Sequence, residues 1–349
     1  MKIAVIFGGK STEHNISNVS GTSVIYNLDK NKYDIYPIYI DREGVFYKYT
    51  KPVNEINILK VDEDIKEIEA IDNIIEYLKD MDVIFPVLHG LYGEDGTIQG
   101  LFELLGKKYV GCKVLGSSLC MDKVYAKILF EKANINIAKS LYIKKEENKY
   151  IYIDSQFNKI DISSDKLIDL VEKELKLPVF IKPSNSGSSF GVNKAKAKEE
   201  IIKYLEEAFK YDDKVLIEEG IIGKEVECAV LGDDEIIVSS VGEVISAEEF
   251  YSFDSKYKNS DSKTLIPARI DEKIIEEIRD LAKKAYVACD CRGLSRVDFF
   301  VEENTNRIII NEINTLPGFT EISMYPKLMD NIGINYSKLL DKLIELAIK

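Results

Sequence analysis

Residues 296–314 of the chain read RVDFFVEENTNRIIINEIN. Two runs rich in β-branched and aromatic residues flank a polar turn at Glu303–Arg307, and this pattern predicts a β-hairpin centred near Thr305. Antiparallel pairing about that centre determines which residues lie opposite each other. The alternation of side chains along each strand then determines which residues share a face.

One face of the predicted hairpin is strongly polar. Asp298 should lie opposite Glu312, and Arg296 opposite Asn314. Opposed carboxylates repel each other unless a cation lies between them, and Asp, Glu and Asn supply the oxygen ligands that Mg²⁺ prefers in nucleotide sites. The arginine can stabilise negative charge in a transition state, and the turn after the hairpin can aim the Gly318 N–H at the same place. The hairpin therefore predicts a metal site, and the alternative is the exposed polar face of an edge hairpin.

A Ser- and Gly-rich loop predicts a second part of the same chemistry. Lys182 ends the apolar strand LPVFIKP, and SNSGSSFG (184–191) follows with hydroxyls, backbone N–H groups and two glycines. Such a loop can close over a triphosphate beside a fixed cation. Its GSSFG part also fits the G-x-S-x-G motif of serine hydrolases. That class places its His after the Ser, whereas His14 and His89 both precede Ser189.

The first 116 residues predict a parallel α/β unit. The expected elements are strands at 3–7, 35–40 and 82–88 and helices at 19–27, 64–79 and 97–105. The loops GGKSTEH (8–14) and HGLYGEDG (89–96) should meet at the carboxyl edge of the sheet, where open α/β sheets bind ligands. GGKSTEH is not a P-loop, because Ala4 stands where G-x-x-x-x-G-K-[ST] needs its first Gly.

Two further segments follow, at about 117–217 and about 218–349. Their expected elements are helices at 121–134, 198–209 and 271–288, a helix at the C-terminus, and a strand at 177–183. The stretch 144–165 is polar, and 252–263 lacks periodicity, which predicts a long surface loop.

Composition excludes several classes of protein. With 349 residues, the chain should form two or three domains. It has no apolar run of about 18 residues, so no membrane span is expected, and no signal peptide is recognisable. A net charge of −13 argues against nucleic acid as a partner. Five cysteines, an odd number, favour reduced thiols in the cytoplasm, and Cys289-x-Cys291 has the wrong spacing for a zinc knuckle.

Taken together, the motifs resemble the ATP-grasp D-alanine–D-alanine ligases over nearly the whole chain. The segments that carry the resemblance are, in order, GGKSTEHNISNVSG, VLHGLYGEDGTIQG, CMDKVYAK, FIKPSNSGSSFG, EEGIIGKEVECAVLG, FDSKY, SRVDFF and NEINTLPGFTEISMYP. The resemblance implies an α/β (α+β) fold with three-domain ATP-grasp architecture. Its parts would be an N-terminal parallel α/β substrate-binding domain (1–116), a central ATP-grasp domain (117–217) and a C-terminal ATP-grasp domain with the metal site (218–349).

The implied activity is ATP-dependent ligation of two D-alanines through an acylphosphate, for peptidoglycan precursor synthesis. The resemblance implies a cytoplasmic homodimer whose partners are the small molecules D-alanine and ATP, with two Mg²⁺ or Mn²⁺ ions per site. The resistance-type D-alanine–D-serine and D-alanine–D-lactate ligases are the main alternative, since Phe190 and Cys120 also occur in that branch. A non-catalytic nucleotide-binding protein is the remote alternative.

The resemblance also implies a role for individual residues. Those expected to bind ATP are Lys123, Lys182, Ser188, Ser189, Glu218, Glu219, Ile221, Glu225 and Lys256. The metal ligands would be Asp298, Glu312 and Asn314, in agreement with the hairpin geometry. The residues expected at the reacting groups are Glu13, Ser188, Tyr257, Arg296 and Gly318. Glu13 would bind the ammonium of the first D-alanine and His89 would lie near its carboxylate, while the loop that carries Lys256 and Tyr257 would form a lid.

The resemblance implies that the second substrate lies near three residues, Ser323, Met324 and Tyr257. Ser323 matches the hydroxyl that binds its carboxylate. D-lactate enzymes carry His where this chain has Tyr257, and D-serine enzymes often carry Arg at the place of Met324. An apolar Met leaves a methyl-sized pocket without a partner for a hydroxyl, which favours D-alanine.

Overall fold

A computed structural model describes residues 1–53, 67–245, 263–320 and 322–349. Within them, three β-sheets follow one another along the chain. The first has the order β4-β3-β2-β1-β5-β6, in which β1 pairs in parallel with β2 and β5, and β5 pairs in parallel with β6. Its strands are β1 (Lys2–Gly8), β2 (Asp34–Ile40), β3 (Phe46–Tyr49), β4 (Ile68–Ala70), β5 (Val83–Val87) and β6 (Lys108–Tyr109). The helices of this region are α1 (His14–Asn27), α2 (Ile74–Lys79), α3 (Thr97–Leu104) and α4 (Val114–Met121).

The second and third sheets are antiparallel. The second has the order β11-β10-β12-β7-β8-β9 and the third the order β15-β14-β13-β16-β17. The second contains β7 (Ser140–Glu146), β8 (Lys149–Ile153), β9 (Lys159–Ile162), β10 (Val179–Pro183), β11 (Asn193–Ala195) and β12 (Lys214–Glu219), with helices α5 (Lys123–Lys132), α6 (Ser164–Glu174) and α7 (Lys198–Ala208). The third contains β13 (Gly223–Leu231), β14 (Ile237–Ile245), β15 (Lys263–Leu265), β16 (Leu294–Glu302) and β17 (Ile308–Asn314), with helices α8 (Glu272–Ala288), α9 (Met324–Asn331) and α10 (Tyr336–Ile348).

The strand β1 is apolar from Ile3 to Phe7 because helices cover both faces of its sheet. Ile3, Val5 and Phe7 belong to one buried cluster with residues of α1 and α10, whereas Ala4 and Ile6 belong to another with residues of α2 and α3. Central strands of parallel sheets show such continuous apolar runs. The loops after β1 and β5 therefore emerge together at the carboxyl edge, as predicted.

The hairpin predicted at residues 296–314 has the predicted turn, since β16 ends at Glu302 and β17 begins at Ile308. Asp298 pairs with Glu312 and Arg296 with Asn314, which confirms the predicted register at the polar face. Between Asp298 and Phe299, however, the register shifts by one residue.

One expected helix is wrong in its first half. The prediction of a helix over 64–79 starts in residues outside those described, and its next part forms β4, which pairs with β3. The helix begins only at Ile74, because the Asn73 side chain accepts a hydrogen bond from the Glu76 N–H and so caps its N-terminus. The ends of the other expected helices and strands in the described residues agree with the observed ends to within two residues, apart from α1, which begins five residues before the predicted start. The polar stretch 144–165, for which no strand was expected, contains β8 and β9.

The three sheets follow the three predicted segments, and the domain division itself stays a proposal. The expected boundary at 217/218 falls inside β12. The last helix, α10, also buries Leu339, Leu340 and Leu343 in the cluster that contains Ile3 and Val5 of the first sheet. The C-terminal segment therefore returns to the N-terminal unit.

All five cysteines are buried, and none forms a disulfide. Among the helices of the described residues, none has the length and apolarity to cross a lipid bilayer.

The close approach of α1 to β1 gives a stability prediction. A Cβ on Gly21 would stand 2.6 Å from Cβ and Cγ of Phe7. We expect Gly21→Ala to lower the free energy of unfolding by about 1–3 kcal/mol through overpacking. The matched control is Gly100→Ala in α3, where a Cβ meets nothing within 4 Å, and which should stabilise by about 0.5–1 kcal/mol. Urea unfolding of both variants measures the difference, and equal effects would contradict this packing argument.

Candidate active site

A cavity of about 390 Å³ lies between the second and third sheets. The residues of the predicted ATP set that line it are Lys123, Lys182, Ser188, Ser189, Glu218, Glu219, Ile221 and Glu225. Glu312 of the predicted metal set also lines it. The structure thus brings together every predicted ATP residue within its described part. Lys256 and Tyr257 lie outside the described residues, as does the predicted lid apart from Lys263.

A buried carboxylate fixes one wall of this cavity. Glu218 lies between Lys127 Nζ at 2.7 Å and Lys182 Nζ at 2.6 Å, and only 4% of its side chain is exposed. Burial by itself raises the pKa of Glu218, but the charges of the two lysines outweigh that effect and lower the pKa to about 2. The carboxylate therefore stays ionised and holds the Lys182 ammonium at the cavity wall.

A second network positions Lys123 at the start of α5. Asp122 caps this helix by accepting from the Val124 N–H at 3.1 Å, and it also accepts from Ser184 Oγ at 2.6 Å. Lys214 forms an ion pair with the same carboxylate. Because Ser184 opens the Ser-rich loop, this network ties the helix N-terminus to that loop.

The loop itself folds back onto the cavity. Lys123 Nζ donates to the Ser186 carbonyl at 2.7 Å and lies 3.4 Å from Glu312 Oε2. Ser188 and Ser189 have φ values of 45° and 61°, in the left-handed region that few non-glycine residues adopt. Such conformations cluster at ligand-binding loops.

The polar face of the hairpin is an ion-paired network. Arg296 donates to both carboxylate oxygens of Asp298 at 2.7 Å, and its Nε also lies 3.1 Å from Glu227. Asn314 Nδ2 donates to Asp298 at 3.0 Å. Within the described residues, no group of three or more His, Cys, Asp or Glu is placed to hold a metal ion. The candidate set has two carboxylates and one amide, and these oxygen donors fit Mg²⁺ chemistry.

Glu13 lies where the loop after β1 meets the Ser-rich loop. Its carboxylate accepts a short hydrogen bond from Ser188 Oγ, and the side chain is buried. Gly187 and Gly90 lie so close to it that a Cβ at either position would strike the carboxylate. Glu13 therefore occupies a tight pocket between two loops, and its predicted contact with a substrate ammonium group stays a prediction.

His89 is neutral and makes internal hydrogen bonds with both ring nitrogens. Nδ1 donates to the Leu316 carbonyl at 2.9 Å, and Nε2 accepts from Ser20 Oγ at 3.0 Å. Burial lowers the pKa of His89 to about 4; Arg296 adds to this shift and the bond to Leu316 opposes it. Its predicted contact with a substrate carboxylate stays a prediction, since the ring here joins α1 to the loop after β17.

Sequence reasoning missed Glu94, in the same loop as His89. Its carboxylate accepts from the Gly90 N–H at 2.7 Å and from the Leu316 N–H at 3.0 Å. Burial, and then the neighbouring Glu13 carboxylate, raise the pKa of Glu94. The only signal for it was its place in HGLYGEDG. Lys127 and Asp122 were missed in the same way, as they lie beside recognised motif residues without a pattern of their own.

The predicted second-substrate corner lies beyond β17. A Cβ on Gly318 would stand 3.0 Å from Ser323 Oγ, which in turn accepts from the Thr320 N–H at 3.0 Å. The Met324 side chain is buried in the core, and a Cβ on Gly242 would lie 2.6 Å from its sulfur. Met324 therefore has a packing role, and its contact with substrate stays a prediction.

Comparison with known proteins adds an independent line of evidence. The family model described as D-ala D-ala ligase N-terminus matches residues 2–112, and the model described as D-ala D-ala ligase C-terminus matches residues 129–345. The chain belongs to the D-alanine–D-alanine ligase family. It is therefore a ligase, and its mixed α/β fold is the ATP-grasp fold.

Relatives and solved structures agree over the full length. The chain is 47% identical to the D-alanine–D-alanine ligase of Caldicellulosiruptor bescii, with coverage of 100% of this chain and 95% of the relative. It is similar to the VanG D-Ala:D-Ser ligase structure from Enterococcus faecalis, at 42% identity, TM-score 0.84 and 99% coverage of both chains. The Bacillus anthracis D-alanine–D-alanine ligase complexed with ATP matches at 32% identity and TM-score 0.74, covering 100% of this chain and 97% of that one.

The buried lysine pair gives a prediction for this ligase. We expect Glu218→Gln to lower the free energy of unfolding by about 3–5 kcal/mol, because it leaves two buried ammonium groups without their carboxylate. The control is Glu206→Gln, whose partner Lys145 lies at 2.5 Å near the surface, with an expected change within about 1 kcal/mol. Chemical denaturation of both proteins tests this. A similar loss of unfolding free energy in both variants would show that the burial of Glu218 between its two lysines does not add to stability.

Proposed function

We propose that this ligase family member uses ATP to activate the carboxylate of one D-alanine as an acylphosphate and then joins it to a second D-alanine. The observation that carries the proposal is the junction of Ser188 with Glu13. It places a buried carboxylate, suited to an ammonium group, directly beside a cavity lined by Lys123 and Lys182. The ATP-bound relative and the curated relatives support the same substrates.

In the first step, the D-alanine carboxylate attacks the γ-phosphorus of ATP, the bond to the β,γ-bridging oxygen breaks, and ADP leaves the acylphosphate behind. Glu13 would orient the ammonium of that substrate, while Lys123 and Lys182 balance charge on the phosphates. Mg²⁺ or Mn²⁺, held by Asp298, Glu312 and Asn314, would neutralise the developing phosphoryl charge when bound. Lys256 of the proposed lid would complete the set of cations and exclude water from the acylphosphate.

In the second step, the deprotonated amine of the second D-alanine attacks the acyl carbon. Arg296 and the Gly318 N–H would stabilise the oxyanion before phosphate leaves. Ser323 would bind the second carboxylate, and the lid would bring Tyr257 to the same corner. We also propose a homodimer that works in the cytoplasm, in line with five unbonded cysteines.

A second candidate is D-alanine–D-serine ligation. It is favoured by the similarity to VanG over the whole chain. The predicted contact of apolar Met324 with the second substrate would favour D-alanine instead, although an apolar pocket rejects an added hydroxyl only modestly.

Product analysis decides between the two candidates. With ATP and equal D-alanine, D-serine and D-lactate at neutral pH, we expect D-alanyl-D-alanine as the main product. D-serine should be incorporated about tenfold to a hundredfold less well, and D-lactate very little. Chromatography with mass detection measures the products. A majority of mixed D-alanyl-D-serine or D-alanyl-D-lactate would promote the alternative.

The proposed metal face is tested by Glu312→Gln. We expect turnover to fall roughly 100-fold or more, since even changes around metal ligands cost 10–100-fold. Binding of Mn²⁺ in the presence of ADP, followed by electron paramagnetic resonance, should weaken in parallel. Glu303→Gln in the exposed hairpin turn is the control and should change neither quantity. Near-normal turnover of Glu312→Gln with Mg²⁺ would refute the site.

A further inference from the structure

The acidic hairpin contains one residue that a regular register would turn away from the site. On one side of the irregularity Asp298 pairs with Glu312, and on the other Phe299 pairs with Ile310. Asn311 is thus the extra residue of a β-bulge, in which two residues of one strand oppose one of its partner. In a regular strand, Asn311 and Glu312 would point to opposite faces. Here both line the nucleotide cavity.

The Asn311 side chain contacts a lysine on a different sheet. Lys182 Nζ, at the end of β10, donates to Asn311 Oδ1 at 3.4 Å and also lies 2.6 Å from Glu218 on β12. An ammonium group has three donors, and two of them are used here by acceptors that approach from different sheets. The long, flexible lysine side chain is therefore held from two directions.

A neutral acceptor suits this position better than a carboxylate. Lys127 and Lys182 together carry two positive charges, and Glu218 between them carries one negative charge. One net positive charge is left for an anionic ligand. An amide oxygen can hold Lys182 without cancelling that charge, whereas a second carboxylate would cancel it and repel phosphate.

We propose that Asn311 is a positioning residue for Lys182, placed in the site by the bulge in β17. Its amide oxygen keeps the ammonium directed at the nucleotide. This inference rests on the proposed function, in that Lys182 meets the phosphates of ATP. It concerns a residue outside the lysine and metal sets assigned above.

A double-mutant cycle on the full chain tests the proposal. ADP affinity is measured by calorimetry, without D-alanine, for the wild type, Asn311→Leu, Lys182→Met and the double variant. We expect Asn311→Leu to weaken binding about tenfold, the scale of a hydrogen bond to a charged group. In the Lys182→Met background the same change should weaken it less than twofold, because residues that act through one contact are not additive. Equal weakening in both backgrounds, or none in the first, would overturn the proposal.

Two further variants separate positioning from damage to the hairpin. Asn136→Leu removes an amide that donates to the carbonyl of Ile308 on β17 at 3.2 Å. Because Asn136 does not line the cavity, this change should leave ADP affinity unchanged. Asn311→Asp keeps the acceptor but adds a charge, so it should hold Lys182 in place in a crystal structure and still weaken ADP binding. Should Asn311→Leu not fold, Asn311→Ser enters the cycle in its place.

The crystal structure of Asn311→Leu, or of Asn311→Ser where that variant replaces it, gives a second readout. Lys182 Nζ should move away from β17, and an unmoved ammonium would contradict the positioning role. Failure of the proposed function is distinguishable from failure of this inference. If the wild type makes no D-alanyl-D-alanine but the double-mutant cycle shows coupling, only the proposed function is refuted. If the wild type ligates D-alanine normally but the cycle shows no coupling, only the positioning role of Asn311 is refuted.

Discussion

The buried ion triplet of Lys127, Glu218 and Lys182 is the constraint on which the nucleotide cavity depends. The protein is strongly acidic, with a net charge of −13, and its ligand is a polyanion. A cation inside such a chain needs a carboxylate to be buried stably, yet a full set of carboxylates would leave nothing to bind phosphate. Two lysines around one glutamate satisfy both demands. The arrangement also binds α5 to the second sheet, because the two lysines come from those two elements.

Leu316 links the N-terminal segment to the proposed reaction site. The N–H of Leu316 is held by Glu94 and its carbonyl by His89, both from the loop after β5. Ser20 of α1 adds a hydrogen bond to the Phe319 N–H at 3.3 Å. The turn that carries Gly318 is therefore anchored from the N-terminal side on both flanks. Buried networks of this kind hold one geometry well, provided that every member is paired.

The sequence predicts those parts of the structure that depend on residues close together along the chain. The strand–helix alternation, the ends of the β16–β17 hairpin and the facing of Asp298 and Glu312 follow from periodicity and turn chemistry. The bulge at Asn311 could not be predicted, because a single extra residue leaves the apolar pattern on both strands intact. Lys127 and Glu94 were missed for a different reason. Their partners come from distant parts of the chain, and spacing along a sequence carries no record of such tertiary contacts. The prediction of a helix over 64–79 was wrong at β4, where pairing with β3 outweighed the local helix propensity.

The contact between Ser188 and Glu13 connects the nucleotide cavity to the loop proposed to receive the first D-alanine. Ser188 belongs to the loop that lines the nucleotide cavity, whereas Glu13 belongs to the loop proposed to receive the first D-alanine. If this loop holds the phosphates as proposed, the same conformation also places Ser188 against the glutamate. A ligand at either place would then favour that conformation, and such favouring is reciprocal by thermodynamic linkage. Under the proposed assignment, the two substrates of the first step would therefore be coupled through one serine.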